Sequence, residues 1–269
     1  MPTDDQKYRA AGCARSFVPV LVLLCGVPAI VVAMKFLPNR KENWIGAAAW
    51  GIMIGGAIPF IVLAMIVARS LARSAAKRLA EMLARDGFVA TLKPTDAERA
   101  AIFQVIQPVA MLEGTAENIR WFAARDVPGE SKPAVVLQHA FYVGGGRNTR
   151  EDFRTIVAWP VQQVKPEIWM RRPKEGVFVL KETPEAPDVQ LGDAPFDRAF
   201  LIQCPADKDA PARLLTPEIR AFILAGPTRE SWVLARGYAC CIFHNDTAAE
   251  GLGVMLRRAR NMAELWRDR

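Results

Sequence analysis

The two histidines and five cysteines of this chain are the side chains best suited to nucleophilic or metal chemistry. Cys240, Cys241 and His244 fall close together, and thiolate and imidazole are ligands that zinc prefers. Successive residues of a strand point to opposite faces, so only one of these cysteines could share a face with His244. Zinc sites also separate paired cysteines by two to four residues, and cysteine is often a core residue. Cys240, Cys241 and His244 are therefore weak metal candidates, core packing is favoured, and the sequence predicts no cofactor.

His139 allows a second kind of site, a Cys–His nucleophile pair. Such a pair needs hydrogen-bond contact between the two side chains, which requires that the strands carrying them pack together. A membrane-bound enzyme, or a small-ligand or lipid binder, with a cleft near His139, Tyr142, Cys241 and His244 is accordingly the alternative functional hypothesis. Residues 144–146 are three glycines, but no Gly-Lys-Ser/Thr follows them, which favours a flexible loop over a phosphate site.

The strands and helices that would position these side chains occupy residues 88–269. β-branched and aromatic stretches between Gly, Pro and Asn predict an antiparallel β-meander flanked by helices, an α+β domain with possible subunits 88–182 and 196–269. Predicted strands cover residues 119–126, 134–143, 154–159, 168–171, 177–181, 199–204, 230–236 and 238–244, with a hairpin turn at Gly237. Thr95 and Glu98 form a capping-box pattern, Thr216 precedes a helix-opening proline, and a terminal helix is predicted over residues 247–267.

Two uncharged segments near the N-terminus differ from the rest of the chain. They cover residues 17–34 and 44–68, eighteen and twenty-five residues long. About 20 helical residues cross the hydrocarbon core of a bilayer, so both segments predict transmembrane helices. Together they would form a helical hairpin over residues 17–68. An N-terminal tail, residues 1–16, precedes the hairpin. A cleaved signal peptide is the alternative for the first segment, because basic residues precede it.

Positive charge is concentrated around these segments. Residues 1–85 contain eleven Lys and Arg against four Asp and Glu, whereas the remainder contains twenty-four of each. Arg69, Arg73, Lys77 and Arg78 belong to a predicted basic, amphipathic helical stalk, residues 69–87, and are expected to contact a membrane surface. The flanking charges place both termini in the cytoplasm, which indicates a multi-pass protein of the inner membrane. A balanced soluble domain argues against nucleic-acid binding.

Small residues in the second segment predict close packing of helices. Gly51 and Gly55 have the small-xxx-small spacing, and Gly56 follows. Such a face fits three occupants: the first segment of the same chain, a second copy, or another protein.

A series of landmarks gives the chain a family resemblance. They are residues 85–88 (Arg-Asp-Gly-Phe), 155–157 (Thr-Ile-Val), 166–173 (Pro-Glu-Ile-Trp-Met-Arg-Arg-Pro), 196–200 (Phe-Asp-Arg-Ala-Phe) and 214–217 (Leu-Leu-Thr-Pro). In this order the chain resembles uncharacterised bacterial two-span membrane proteins of the DUF3137-like type, whose domain has no known function. The resemblance implies the architecture and a bacterial inner-membrane setting, and it implies no catalytic residues.

The leading functional hypothesis is a membrane-anchored, non-enzymatic module with a cytoplasmic α+β domain. Its expected partners are the lipid bilayer and a protein or a second copy, as an interaction or accessory subunit of a membrane complex. This hypothesis depends on the absence of a defensible catalytic pattern and on the Gly51, Gly55 and Gly56 surface.

Overall fold

The structure is a computed structural model. It describes residues 43–110, 115–143, 150–161, 166–172, 188–227, 230–244 and 249–267. The predicted tail, the first predicted transmembrane segment, the glycine loop 144–146 and the predicted strand 177–181 lie outside these residues. The chain divides into two compact units, Met1–Leu79 and Ala80–Arg269.

Helix α1, Asn43–Arg85, contains the second uncharged segment and most of the predicted stalk in one element. Its end is fixed by Gly87, which has a φ of +79°. The Phe88 N–H donates to the Leu83 carbonyl (2.9 Å) and the Gly87 N–H to the Ala84 carbonyl (2.9 Å). These bonds satisfy carbonyls that the helix end would leave unpaired, and the left-handed backbone they require favours glycine.

The prediction of transmembrane helices is wrong for the residues that the structure describes. Among them, no helix is long and apolar enough to cross a membrane.

The second unit is α+β, with eight strands and helices around them. Its elements are β1 Val89–Thr91, α2 Asp96–Ala110, a short 3₁₀ turn Ala116–Asn118, β2 Ile119–Arg125, β3 Ala134–Val143, β4 Arg150–Pro160, β5 Ile168–Arg171, α3 Ala194–Ala199, β6 Leu201–Gln203, α4 Ala210–Leu214, α5 Pro217–Leu224, β7 Glu230–Ala235, β8 Tyr238–His244 and α6 Ala249–Arg267.

The sheet is antiparallel, but it is not a simple meander. Its spatial order is β1-β2-β3-β4-β8-β7-β5-β6, so only the first four strands follow the chain. β8 pairs with β4, and β7 pairs with β5. The two predicted parts, 88–182 and 196–269, therefore contribute strands to one sheet. A sequence pattern identifies strands by their alternation, whereas this order depends on contacts between residues far apart in the chain.

Each face of the sheet is covered by a different helix. The face beneath α2 forms an apolar cluster with that helix, which includes Ile102, Ile106, Val109, Ile119, Leu137, Ile156, Val233, Cys240 and Ile242. Helix α6 packs against β4 and β8, and its own Leu252, Ala259 and Met262 are fully buried. The central strands are thus buried on both faces, which explains why β7 is buried at every position.

The hairpin predicted at Gly237 is confirmed. β7 and β8 are joined by Arg236 and Gly237, which have φ values of +50° and +76°. Two consecutive positive φ values are typical of the tight turns that match the twist of paired strands.

The predicted capping box at the start of α2 is also confirmed. The Thr95 N–H donates to Glu98 Oε2 (2.8 Å), and the Glu98 N–H donates to Thr95 Oγ1 (3.3 Å). These hydrogen bonds lower the pKa of the Glu98 carboxyl. A carboxyl with a lowered pKa contributes stability above its ordinary pKa and loses it as the pH falls through the folded value.

We therefore expect α2 to loosen at its start in acid. In Glu98→Gln this pH dependence should disappear, because an amide can still accept the bond but does not titrate. Hydrogen exchange at the first amides of α2, followed between neutral and acidic pH, measures it. Equal acid sensitivity in the two proteins would contradict the assignment.

Candidate functional site

The three cysteines of the described domain are core residues. Cys204, Cys240 and Cys241 are at most 1% exposed. Cys240 lies in the cluster beneath α2, whereas the Cys241 Sγ is 3.5 Å from Glu230 Oε1 on the other face. Burial raises the pKa of each of the three thiols. Since the thiolate is the reactive and metal-binding form, these cysteines are poor nucleophiles and poor ligands where they lie.

The strand register separates the histidines from Cys241. His139 and His244 both pair with Arg154, on opposite sides of β4, so the three residues form a row across one face. Cys241 is three positions from His244 and therefore belongs to the other face of β8. Cys240 shares the face of His244, but four residues of strand place them about 13 Å apart. Within the described residues, no three His, Cys, Asp or Glu side chains lie where they could hold a metal ion.

His139 is held by a buried arginine that the sequence analysis did not single out. Arg154 Nε donates to His139 Nδ1 (3.3 Å), and its guanidinium lies 5.4 Å from the centre of the Phe141 ring. Because an arginine can only donate, Nδ1 is the accepting nitrogen of the imidazole. His139 is fully buried and Arg154 is 3% exposed, so this contact positions the imidazole ring on a buried face of the sheet.

A buried ion pair was also missed, and it connects three elements. Arg258 of α6 donates through Nε to both oxygens of Glu230 at the start of β7 (2.9 Å each). Its Nη2 donates to the Phe222 carbonyl of α5 (2.9 Å), and its guanidinium lies 4.3 Å from the Phe222 ring centre. We call Glu230, Arg258, Phe222, Cys241 and the adjoining Gly226 the Glu230 cluster.

The electrostatics of the Glu230 cluster fit a structural role. Burial raises the pKa of the Glu230 carboxyl, although Arg258, Cys241 and Trp232 act in the opposite direction. A buried carboxyl with a raised pKa is a common feature of acid–base sites, but structural ion pairs also perturb pKa values. Glu230 is only 1% exposed, and its oxygens are occupied by Arg258. The cluster therefore fastens α5 and α6 to the sheet rather than presenting an acid to a substrate.

One short segment of α1 combines exposed apolar side chains with basic ones. Its exposed apolar residues, which we call the apolar run, are Val62, Leu63, Met65, Ile66, Val67 and Leu71, each between 42% and 61% exposed. Arg69, Arg73, Lys77 and Arg78, the basic run, are also exposed, and the sequence has no acidic residue from 62 to 80.

The glycines predicted to pack against another helix lie in the same helix. Gly51, Gly55 and Gly56 belong to α1, but the structure describes only the backbone there. Their packing role stays a prediction.

Comparisons with known proteins give one distant structural similarity. No family model matches the chain, and no curated protein sequence matches it. The crystal structure of the mycobacterial trehalose monomycolate transport factor A, TtfA, is similar over 72% of this chain and 96% of that chain, with a TM-score of 0.49 and 12% sequence identity. This likeness carries no functional argument, and the resemblance to DUF3137-like proteins stays a prediction.

Proposed function

We propose that this chain is a non-enzymatic interaction module, an accessory subunit whose helix α1 engages a partner through the apolar run. The observation that carries the proposal is the exposure of six large apolar side chains within ten residues of α1. Full burial of one such side chain contributes about 1.5–3 kcal/mol. Covering several of them would therefore drive association with an apolar partner surface. Anionic groups beside that surface would complement the charge of the basic run.

The buried positions of the reactive side chains support the same proposal. His139, Cys204, Cys240 and Cys241 are at most 1% exposed, so a substrate would not reach them without opening the core. The alternative of an enzyme or ligand binder near His139, Cys241 and His244 has no comparable support, because the register puts Cys241 on the opposite face from both histidines. A cytoplasmic position for the domain stays a prediction.

Site-specific photocrosslinking in native cells tests this proposal. Benzoylphenylalanine is placed at Leu63, Ile66 or Leu71 of the full chain, and at the exposed control positions Lys208 and Arg257. We expect one recurring adduct at the three positions of the apolar run and none at the controls, identified by mass spectrometry. Equal labelling at all five positions, or no adduct at the apolar run, would overturn the proposal.

A further inference from the structure

We infer that the partner of the apolar and basic runs is an anionic lipid surface. This inference rests on the proposed function, because it names the partner of the same segment. Two properties of the segment support it: the distribution of apolar side chains around the helix, and the sign and order of the charges that follow.

The apolar run is not confined to one side of α1. At about 100° per residue, Val62 and Leu71 lie on opposite sides of the helix. Ile66 and Val67 lie between them, and each of the four is at least 42% exposed. A protein groove that receives a helix typically covers one apolar face. The apolar layer at a bilayer surface has no fixed shape, so it suits a short segment that is apolar on several sides better than a groove does.

The charges favour an anionic surface over a second copy of the chain. Four basic residues follow within sixteen residues of Leu63, with no acidic residue among them. A parallel second copy would bring like charges together, and an antiparallel one would set the basic run against apolar side chains. A bilayer with anionic lipids instead offers an apolar acyl layer beside negatively charged headgroups. These two layers follow each other in the same order as the apolar run and the basic run.

Flotation with vesicles tests the inference on the purified full chain. We expect binding to vesicles that contain phosphatidylglycerol, weaker binding to pure phosphatidylcholine, and a fall with added salt, because surface attraction is screened. Neutralising Arg69, Arg73, Lys77 and Arg78 to Gln should weaken anionic binding by about fivefold per residue. The matched control changes Lys93, Lys208, Arg257 and Arg260 to Gln, which removes the same charge elsewhere.

A second variant separates the apolar contribution from the charge. Leu63→Ser, Ile66→Ser and Leu71→Ser together should weaken binding to both kinds of vesicle, because they remove apolar contact and leave the charge unchanged. Unchanged thermal unfolding would show that each variant is folded.

Three outcomes would overturn the inference. They are no vesicle binding, equal binding to neutral and anionic vesicles, and equal loss in the basic-run and control variants. If vesicles do not bind while crosslinking at the apolar run yields one recurring protein adduct, the proposed function stands and the lipid inference fails. If both experiments are negative, both fail.

Discussion

Arg258→Ala is expected to lower the free energy of unfolding by about 3–5 kcal/mol, because it leaves Glu230 as a buried charge without its counter-ion. The matched control is Arg260→Ala, two residues further along α6. Arg260 binds Glu264 at the surface, where both side chains are more than half exposed. Loss of such an exposed pair costs about 0.3–0.5 kcal/mol. Urea denaturation of the two variants beside the unaltered protein measures the difference.

The pH dependence of Arg258→Ala gives an independent check. The pKa of Glu230 is already raised by burial, and Arg258 is among the groups that lower it. Removal of Arg258 should therefore raise it further. A carboxyl whose folded pKa is raised contributes stability below its ordinary pKa, and this is lost as the pH rises through the folded value.

The deficit of Arg258→Ala should thus shrink on moving from neutral to mildly acidic buffer, where Glu230 takes up a proton. The double variant Glu230→Gln with Arg258→Met should be close to the unaltered protein, because no isolated charge is left in the core. A pH-independent deficit, or a double variant as unstable as Arg258→Ala, would contradict the account of the Glu230 cluster.

Gly226→Ala is expected to destabilise the domain by about 1–3 kcal/mol, the usual cost of overpacking a core. Gly226 follows α5, and a methyl group there would overlap Glu230 Oε2 and Arg258 Nη2. These atoms end flexible side chains, but the buried ion pair holds both of them in place. Thermal and urea unfolding measure the effect.

Gly253→Ala in α6 is the matched control for this substitution. A methyl group at Gly253 would meet only Arg257 Nη1 at 3.9 Å. Since alanine favours a helix by up to about 1 kcal/mol over glycine, this variant should be slightly more stable. In the Glu230→Gln and Arg258→Met background, Gly226→Ala should cost less. An equal cost there would show that the glycine is required for another reason.

Local features of the fold could be predicted because neighbouring residues determine them. The Thr95 and Glu98 capping box is closed within three residues, and its hydrogen bonds are those the sequence indicates. Thr216 likewise accepts a bond from the Ile219 N–H (3.5 Å), with Pro217 after it. The Gly237 turn requires a positive φ, which favours glycine in any context. The α+β class follows from such elements.

The buried polar contacts were harder to predict because the partners are distant in sequence. Arg258 meets Glu230 across twenty-eight residues, and Arg154 meets His139 across fifteen. The one sequence signal for the first pair was an acidic residue opening the otherwise uncharged strand β7. Strand alternation did show that Cys240 and Cys241 face opposite ways, but it could not show that Glu230 lies beside Cys241.

By itself, the sequence determined the capped starts of the helices after Thr95 and Thr216, the Gly237 turn and the separation of charge along the chain, because these depend on neighbouring residues. Only the tertiary structure decided that β8 lies beside β4 and that Glu230 lies beside Cys241 and Arg258. It also corrected the expectation of membrane-spanning helices for the described residues. Strand order and burial are decided by contacts between distant residues, whose energies no local pattern contains.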